Sequence, residues 1–184
     1  MSKQIHFEKL QIPITVVVTT LILSLLLWQY FHDGVPGHYV LQNKDLPEIS
    51  NWWGAFIIPT LTWICLGRIK ARIESQTADS TYQNGNSKIL NRFILGVLMG
   101  LAVCISFTAG FDLFLDNVLY IFFVLSLIIP IFYSEFILGY VLGSTFTFGA
   151  VLPLVFILVI SGIGFVIYRY IRPLILKLLP SSEK

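Results

Sequence analysis

The composition of this 184-residue chain is that of a protein adapted to an apolar solvent. Hydrophobic residues make up 56% of the sequence, charged residues only 12%, and the formal net charge is +2. A water-soluble domain has about 25% charged residues and could not bury this much apolar surface. The basic residues follow the boundaries of the apolar runs, which also excludes a nucleic-acid-binding surface.

Long charge-free runs predict membrane-spanning helices. The runs cover residues 11–31, 49–67, 93–111, 117–134 and 136–168. Each is long enough for a helix that crosses a hydrocarbon core of about 30 Å, and a backbone in lipid must satisfy its own hydrogen bonds, which favours helices. The first run has about 20 residues and no small-residue cleavage site after it, so it predicts a retained helix rather than a signal peptide.

The run 136–168 decides the number of helices. As one helix it would extend roughly 50 Å, too long for a single span. Gly149 and Pro153 lie near its middle and predict a tight turn between two short helices. A re-entrant segment at 135–150 is the alternative.

The distribution of basic residues sets the predicted topology. With six spans and the N-terminus in the cytoplasm, every lysine and arginine except Lys44 lies on the cytoplasmic side. This is the positive-inside pattern, which a five-helix topology would break at the basic C-terminal segment. The sequence therefore predicts an all-α, polytopic integral membrane protein with six transmembrane helices and both termini cytoplasmic.

We expect one transmembrane domain over residues 1–184. Its helices are predicted at about 12–31, 50–68, 91–111, 115–133, 135–149 and 151–171. The segments between and after them are an outer loop at 32–49, a polar cytoplasmic loop at 73–88 and a cytoplasmic or interfacial tail at 173–184. Asp45, Pro47 and Glu48 predict the capped start of the second helix, or of a short interfacial helix before it.

Two of the predicted helices share a G-x-x-x-G spacing. Gly96 and Gly100 lie in the third helix, and Gly139 and Gly143 lie in the fifth. Small residues four apart share a helix face and let two backbones approach closely, so we expect these two helices to pack centrally. Glu135 stands between two apolar runs; we expect it to form the cytoplasmic turn, with proton coupling as the alternative.

The predicted outer face concentrates acidic residues. In the six-helix topology it holds five carboxylates and two histidines against one lysine. A negative field of this kind attracts cations. The candidate site residues on this face are His32, Asp33, His38, Asp112 and Asp116.

Four of these residues could hold a metal. Imidazole and carboxylate groups bind Zn²⁺ and other transition metals, and a bound metal could activate water. The predicted ligands are His32, His38, Asp112 and Asp116. Because acids in the first turn of a helix are stabilised by its dipole, helix capping is the simpler explanation of the two aspartates, with Asp112 as the N-cap.

The sequence leaves three classes of function open. The first is a transporter or channel-like protein for a cation or small solute, with an acidic outer mouth. The second is a membrane-embedded, metal-dependent hydrolase or lipid-modifying enzyme that uses the outer histidines and aspartates. The third is a non-catalytic membrane assembly subunit. The known motifs of soluble enzymes do not occur in the sequence.

The expected location is the cytoplasmic (inner) membrane of a bacterium. The expected partners are the lipid bilayer and a small solute, a cation or a lipid substrate, with no nucleic acid. The sequence leaves a homo-oligomer open, since small residues on helix faces also pack between copies of a chain.

Overall fold

The computed structural model of the protein is built almost entirely of helices. It describes residues 7–32, 34–39, 45, 48–77 and 85–178, without the side chains of 7–9, 38, 76–77, 85–86 and 178. The helices are α1 (Phe7–His32), α2 (Gly54–Thr77), α3 (Gly85–Ala109), α4 (Asp112–Ile128), α5 (Ser134–Phe148), α6 (Val151–Val166), a π-helical segment (Ile167–Ile171) and α7 (Arg172–Leu178). The predicted all-α class is confirmed.

Among the described residues, four stretches of helix are long and apolar enough to cross a membrane. They are Leu10–His32, Asn51–Ser75, Ser87–Ala109 and Val151–Lys177. Helices α4 and α5 have 17 and 15 residues, which gives lengths of about 25 Å and 22 Å, short of a hydrocarbon core of about 30 Å. The apolar helices agree with a membrane protein.

A small antiparallel sheet lies between α1 and α2. Its strands are β1 (Gly37–Tyr39) and β2 (Glu48–Ser50), and His38 is paired with Ile49. Glu48, expected at a capped helix start, lies in β2, whose backbone is extended and paired with β1; Pro47 lies outside the described residues. The cap comes later, where the Ser50 hydroxyl accepts a hydrogen bond from the Trp52 amide at 3.3 Å, one 3₁₀ turn before α2.

Helix α5 forms the centre of the bundle, and α3 lies directly against it. A Cβ added at Gly96 would meet the backbone of Phe136 and Tyr140 on α5. One turn further along α3, a Cβ at Gly100 would meet the backbone of Tyr140 and Ser144. Later residues of α3 thus contact later residues of α5, so the two helices are parallel and begin at the same end of the bundle.

Helix α2 packs along α5 in the opposite direction. Arg72, near the end of α2, contacts Glu135 at the start of α5. Asn51, just before α2, lies against Gly149 just after α5. We call the first of these ends the arginine end and the second the aspartate end, because Asp112 lies there, close to the C-terminus of α3.

Two glycines end the central helices with left-handed backbone. Gly110 has φ +70° and follows α3, where the amide of Phe111 donates to the Ser106 carbonyl at 2.8 Å. Gly149 has φ +68° and follows α5. Glycine adopts this backbone without the steric cost that other residues carry, and it is the usual residue at helix C-termini. The break at Gly149 separates α5 from α6.

Replacement of one packing glycine by alanine measures how close the backbones of α3 and α5 lie. In Gly139→Ala the new methyl group would meet the backbone of Phe93 and Val97. Because backbone atoms cannot move aside cheaply, we expect the free energy of unfolding to fall by about 1–3 kcal/mol. This corresponds to a Tm in detergent that is lower by about 3–10 °C. Thermal unfolding of the purified variant checks this.

Gly162→Ala is the matched control for that experiment. Gly162 lies in α6, and a Cβ added there has no atom within 4 Å. The substitution should leave Tm unchanged or raise it slightly, because alanine favours a helix over glycine by about 0.5–1 kcal/mol. Equal melting of the Gly139 and Gly162 variants would contradict the close packing of α3 and α5.

Candidate functional site

His32, the first of the expected outer-site residues, is engaged by its own helix. Its Nδ1 lies 2.8 Å from the carbonyl oxygen of Trp28, one turn earlier in α1. Since a carbonyl can only accept, Nδ1 carries the proton and donates it. The imidazole also packs on the Trp28 indole, with ring centroids 4.7 Å apart. One ring nitrogen is therefore already committed, and only Nε2 could serve as a metal ligand.

Asp112 and Asp116 are exposed and lie in the first turns of α4. The N-cap of α4 is Phe111, which makes no side-chain capping bond, so the N-cap role expected for Asp112 is not seen. As the first residue of α4, Asp112 still lies where the helix dipole favours a negative charge.

The two remaining outer-site residues fall outside what the structure describes. Asp33 is not described, and only the backbone of His38 is. Within the described part of the chain, no three histidine, cysteine or acidic side chains are grouped closely enough to hold a metal ion. The metal site at His32, His38, Asp112 and Asp116 therefore stays a prediction.

Backbone hydrogen bonds hold the described residues of the loop after α1. The amide of Gly34 donates to the Gln29 carbonyl at 2.9 Å, at the end of α1, and the amide of Asn51 donates to the Pro36 carbonyl at 3.0 Å. The second bond and the pairing of β1 with β2 hold residues 36–39 against the segment just before α2. Convergence of the histidines with the aspartates would require the same loop to reach the start of α4.

A buried ion cluster lies at the arginine end. Glu135 is buried, with 1% of its side-chain surface exposed. Arg72 donates from one guanidinium nitrogen to both carboxylate oxygens, at 2.8 and 2.7 Å, and Arg92 donates to one of them at 3.1 Å. Because the arginines come from α2 and α3, one side chain of α5 joins the ends of three helices.

Tyr133 completes this cluster. The guanidinium carbons of Arg72 and Arg92 lie 4.3 Å and 4.5 Å from the centre of its ring. A cation over an aromatic face is attracted by the ring quadrupole, by about 0.5–2 kcal/mol depending on exposure. Tyr133 thus holds both guanidinium groups in position to bind the carboxylate of Glu135 two residues later.

The local sequence explains why the tyrosine and the glutamate lie here. After α4, Pro130 lacks an amide hydrogen and interrupts the helical pattern. Tyr133 is then the N-cap of α5, with extended backbone at φ −78° and ψ 145°, and Glu135 lies in the first turn. The positive end of the helix dipole favours a carboxylate at this position.

The cluster carries more positive than negative charge. Two guanidinium groups face one carboxylate, and each arginine side chain keeps 20% of its surface exposed while Glu135 keeps 1%. Removing charges from water costs several kcal/mol for each ion, so the cluster is stable only because the geometry and hydrogen bonds are good. The partial exposure of the arginines lowers that cost.

The aspartate end holds a second group of buried polar side chains. Asn51 is 6% exposed, and its side chain fills the space that a side chain at Gly149 would need. The side-chain oxygen of Gln29 is buried with no hydrogen-bond partner among the described residues. Polar groups therefore lie at both ends of the α2–α5 contact.

The sequence predicts only part of this arrangement. It places Glu135 in the cytoplasmic turn but does not assign Arg72 and Arg92 as its partners, which are 63 and 43 residues away. One sequence signal could have identified these partners. Both arginines lie near the ends of apolar runs, on the side of the membrane predicted for Glu135. The four glycines expected to pack lie where α3 and α5 touch: Gly96, Gly100, Gly139 and Gly143.

Removal of the carboxylate charge tests how much the ion cluster contributes to the stability of the fold. In Glu135→Gln two partly buried guanidinium groups lose their counter-ion. We expect the free energy of unfolding to fall by about 3 kcal/mol. This is the low end of the usual cost of breaking a buried ion pair, because the arginines keep some contact with water. Thermal unfolding in detergent should show a Tm lower by about 6–12 °C.

Glu74→Gln provides the control for this measurement. Glu74 pairs with Lys70 at 3.8 Å on the surface of α2, and its side chain is 55% exposed. An exposed pair of this kind contributes less than about 1 kcal/mol. If both variants lost the same stability, the cluster would be no more than a surface ion pair.

Comparison with known proteins gives no relative for this fold or this cluster. No family model matches the sequence, and no curated protein or solved structure matches the chain. The functional assignment therefore depends on the geometry alone.

Proposed function

We propose that the chain is a six-span integral membrane protein with both termini in the cytoplasm, and that it acts as a transporter or channel-like protein for a cation or small solute. The observation that carries the proposal is the fully buried Glu135, held by arginines from two other helices. An ionisable side chain within a membrane-spanning bundle is costly, and it usually marks a substrate or ion pathway.

The parallel packing of α3 and α5 supports six spans. If the two helices begin on the same side, α4 must return across the membrane between them, and α6 must return after α5. Helix α5 can be short because it is surrounded by protein, with residues 134–141 all buried. The basic residues Arg72, Arg92 and Arg172 then lie together on the cytoplasmic side, as the positive-inside rule requires.

In this proposal the pathway follows the contact between α2 and α5. Both ends of the contact are closed by polar groups: Arg72 with Glu135 at one end, and Asn51 against Gly149 at the other. Thr62 on α2 and Ser144 on α5 are buried hydroxyls, each bonded to a carbonyl of its own helix. If the α2–α5 contact opened at only one end at a time, a solute could enter from only one side of the membrane.

Charge supports a cation as the solute. The aspartate end carries Asp112 and Asp116, both exposed, and an acidic surface raises the local concentration of cations. At the other end, the carboxylate of Glu135 can exchange its arginine partners only for another positively charged group or for a proton. A cation that reaches Glu135 would therefore compete with Arg72 and loosen the link between α2 and α5.

The topology is tested by cysteine labelling of intact cells. Single cysteines at Gln42, Gln83 and Ser182 are placed in a chain with Cys65→Ala and Cys104→Ala, since both native thiols are free. An impermeant maleimide should modify position 42 and reach positions 83 and 182 only after the cells are broken. Labelling of position 182 in intact cells would contradict six spans.

Transport is tested in vesicles that contain the purified protein. The probes are proton, Na⁺, K⁺ and Mg²⁺ gradients followed with dyes enclosed in the vesicles. We expect at least one cation to cross faster than in protein-free vesicles, and Glu135→Gln to slow that flux by about tenfold or more, because the cation loses the carboxylate that it binds and about 1.4 kcal/mol of interaction corresponds to a factor of ten. Glu74→Gln should have the wild-type rate. Wild-type rates equal to those of empty vesicles for all four cations would overturn the proposal.

A further inference from the structure

Three aromatic rings form a continuous row at the arginine end, which we call the aromatic row. The ring centroids of Tyr133 and Phe132 are 4.9 Å apart, and those of Phe132 and Tyr168 are 5.8 Å apart. Both contacts are edge-to-face, the geometry that aromatic rings prefer. The row joins the turn before α5 to the π-helical segment after α6.

Guanidinium groups cover both ends of the aromatic row. Arg72 and Arg92 lie over Tyr133. At the far end, the guanidinium carbon of Arg172 lies 4.7 Å from the centre of the Tyr168 ring. Three arginines from different parts of the chain are thus held on one surface by cation–π contacts.

The π-helical segment is an independent sign that this surface has a role. Ile167–Ile171 is π-helical, and it carries Tyr168 and leads directly into Arg172. This conformation is rare, well under 1% of residues, and occurs frequently at functional sites.

The charge on this surface is only partly balanced. Glu135 binds Arg72 and Arg92, which leaves one positive charge from that cluster. In the described part of the chain, Arg172 makes no hydrogen bond or ion pair, and its contact with Tyr168 supplies no acceptor. A guanidinium group has five N–H donors in a planar fork, an arrangement that fits the oxygens of a phosphate group.

The surroundings of the arginines are apolar. Phe165 is 46% exposed, and Leu174 and Leu176 on α7 are 60% and 54% exposed. A ligand for this surface therefore needs negative oxygens for the arginines and hydrocarbon for the side chains beside them. Phospholipids combine both, and basic pockets between helices at a membrane boundary bind their head groups.

We propose that the aromatic row and its three arginines form a binding surface for anionic phospholipids. Phosphate groups contact Arg172 at one end and the partly exposed side chains of Arg72 and Arg92 at the other, while acyl chains lie along Phe165 and the apolar side chains of α7. The rings separate the two ends, so each end contacts a different phosphate group. This proposal does not depend on transport activity.

The test measures how lipids protect the full-length protein in an uncharged detergent. Thermal unfolding is followed while dioleoylphosphatidylglycerol is added, and separately with dioleoylphosphatidylcholine, which has the same chains but no net charge, and with glycerol 3-phosphate. Only the anionic lipid should raise Tm in a saturable way, because a ligand that binds the folded state stabilises it.

Arg172→Gln locates the binding surface. It should raise the half-saturating concentration of the anionic lipid by about fivefold, the factor for one basic residue at an anionic membrane surface. Tyr168→Leu keeps the charge of Arg172 but removes the ring beneath it, and should also weaken binding. Native mass spectrometry of retained lipid gives a second readout that does not depend on the stability of a variant.

Arg169→Gln is the matched control, because Arg169 is an exposed arginine in the same π-helical segment. Among the described residues Arg169 makes no cation–π contact with the aromatic row, so its removal should change the half-saturating concentration less than the removal of Arg172, by under about twofold. Equal effects of the Arg169 and Arg172 variants would overturn the proposal, as would equal protection by the uncharged lipid. Protection by glycerol 3-phosphate as strong as by the anionic lipid would assign the surface to free phosphate instead.

Discussion

A carboxylate that is removed from solvent must be neutralised where it lies, and the fold of this protein depends on how Glu135 meets that requirement. Its partners, Arg72 and Arg92, come from α2 and α3, so one buried side chain fixes the ends of three helices against one another. In an apolar bundle such a polar contact specifies position more strongly than the packing of similar aliphatic side chains, because any other register leaves a charge unpaired.

Close backbone packing and the ion cluster act on the same central helix. The glycines of α3 and α5 bring the two backbones into contact, which sets the start of α5 next to the start of α3 and so places Glu135 within reach of Arg92. At the other end, Asn51 and Gly149 join α2 to α5 without any charge. One end is therefore held by ionic contacts, and the other by shape and neutral polar groups.

The sequence predicts the all-helical class because the signals for helices are local. Charge-free runs locate them, and Gly149 marks the break between α5 and α6. Contacts between distant residues are different: nothing in the neighbourhood of Glu135 shows that arginines 63 and 43 residues away will bind it. The β1–β2 pairing is equally non-local, and it stands where a helix start was expected. The outer histidine and aspartate site stays a prediction, because the side chains of Asp33 and His38 lie outside the described residues.

Glu135 and Arg72 stabilise each other across the α2–α5 contact. A double-mutant cycle measures this most directly, with the unfolding free energies of Glu135→Gln, Arg72→Gln and the double variant. The double variant should lose about 1–3 kcal/mol less unfolding free energy than the two single losses added together. The reason is that the second substitution removes a charge that the first leaves unpaired. Single losses that add to within about 0.5 kcal/mol would contradict the claim.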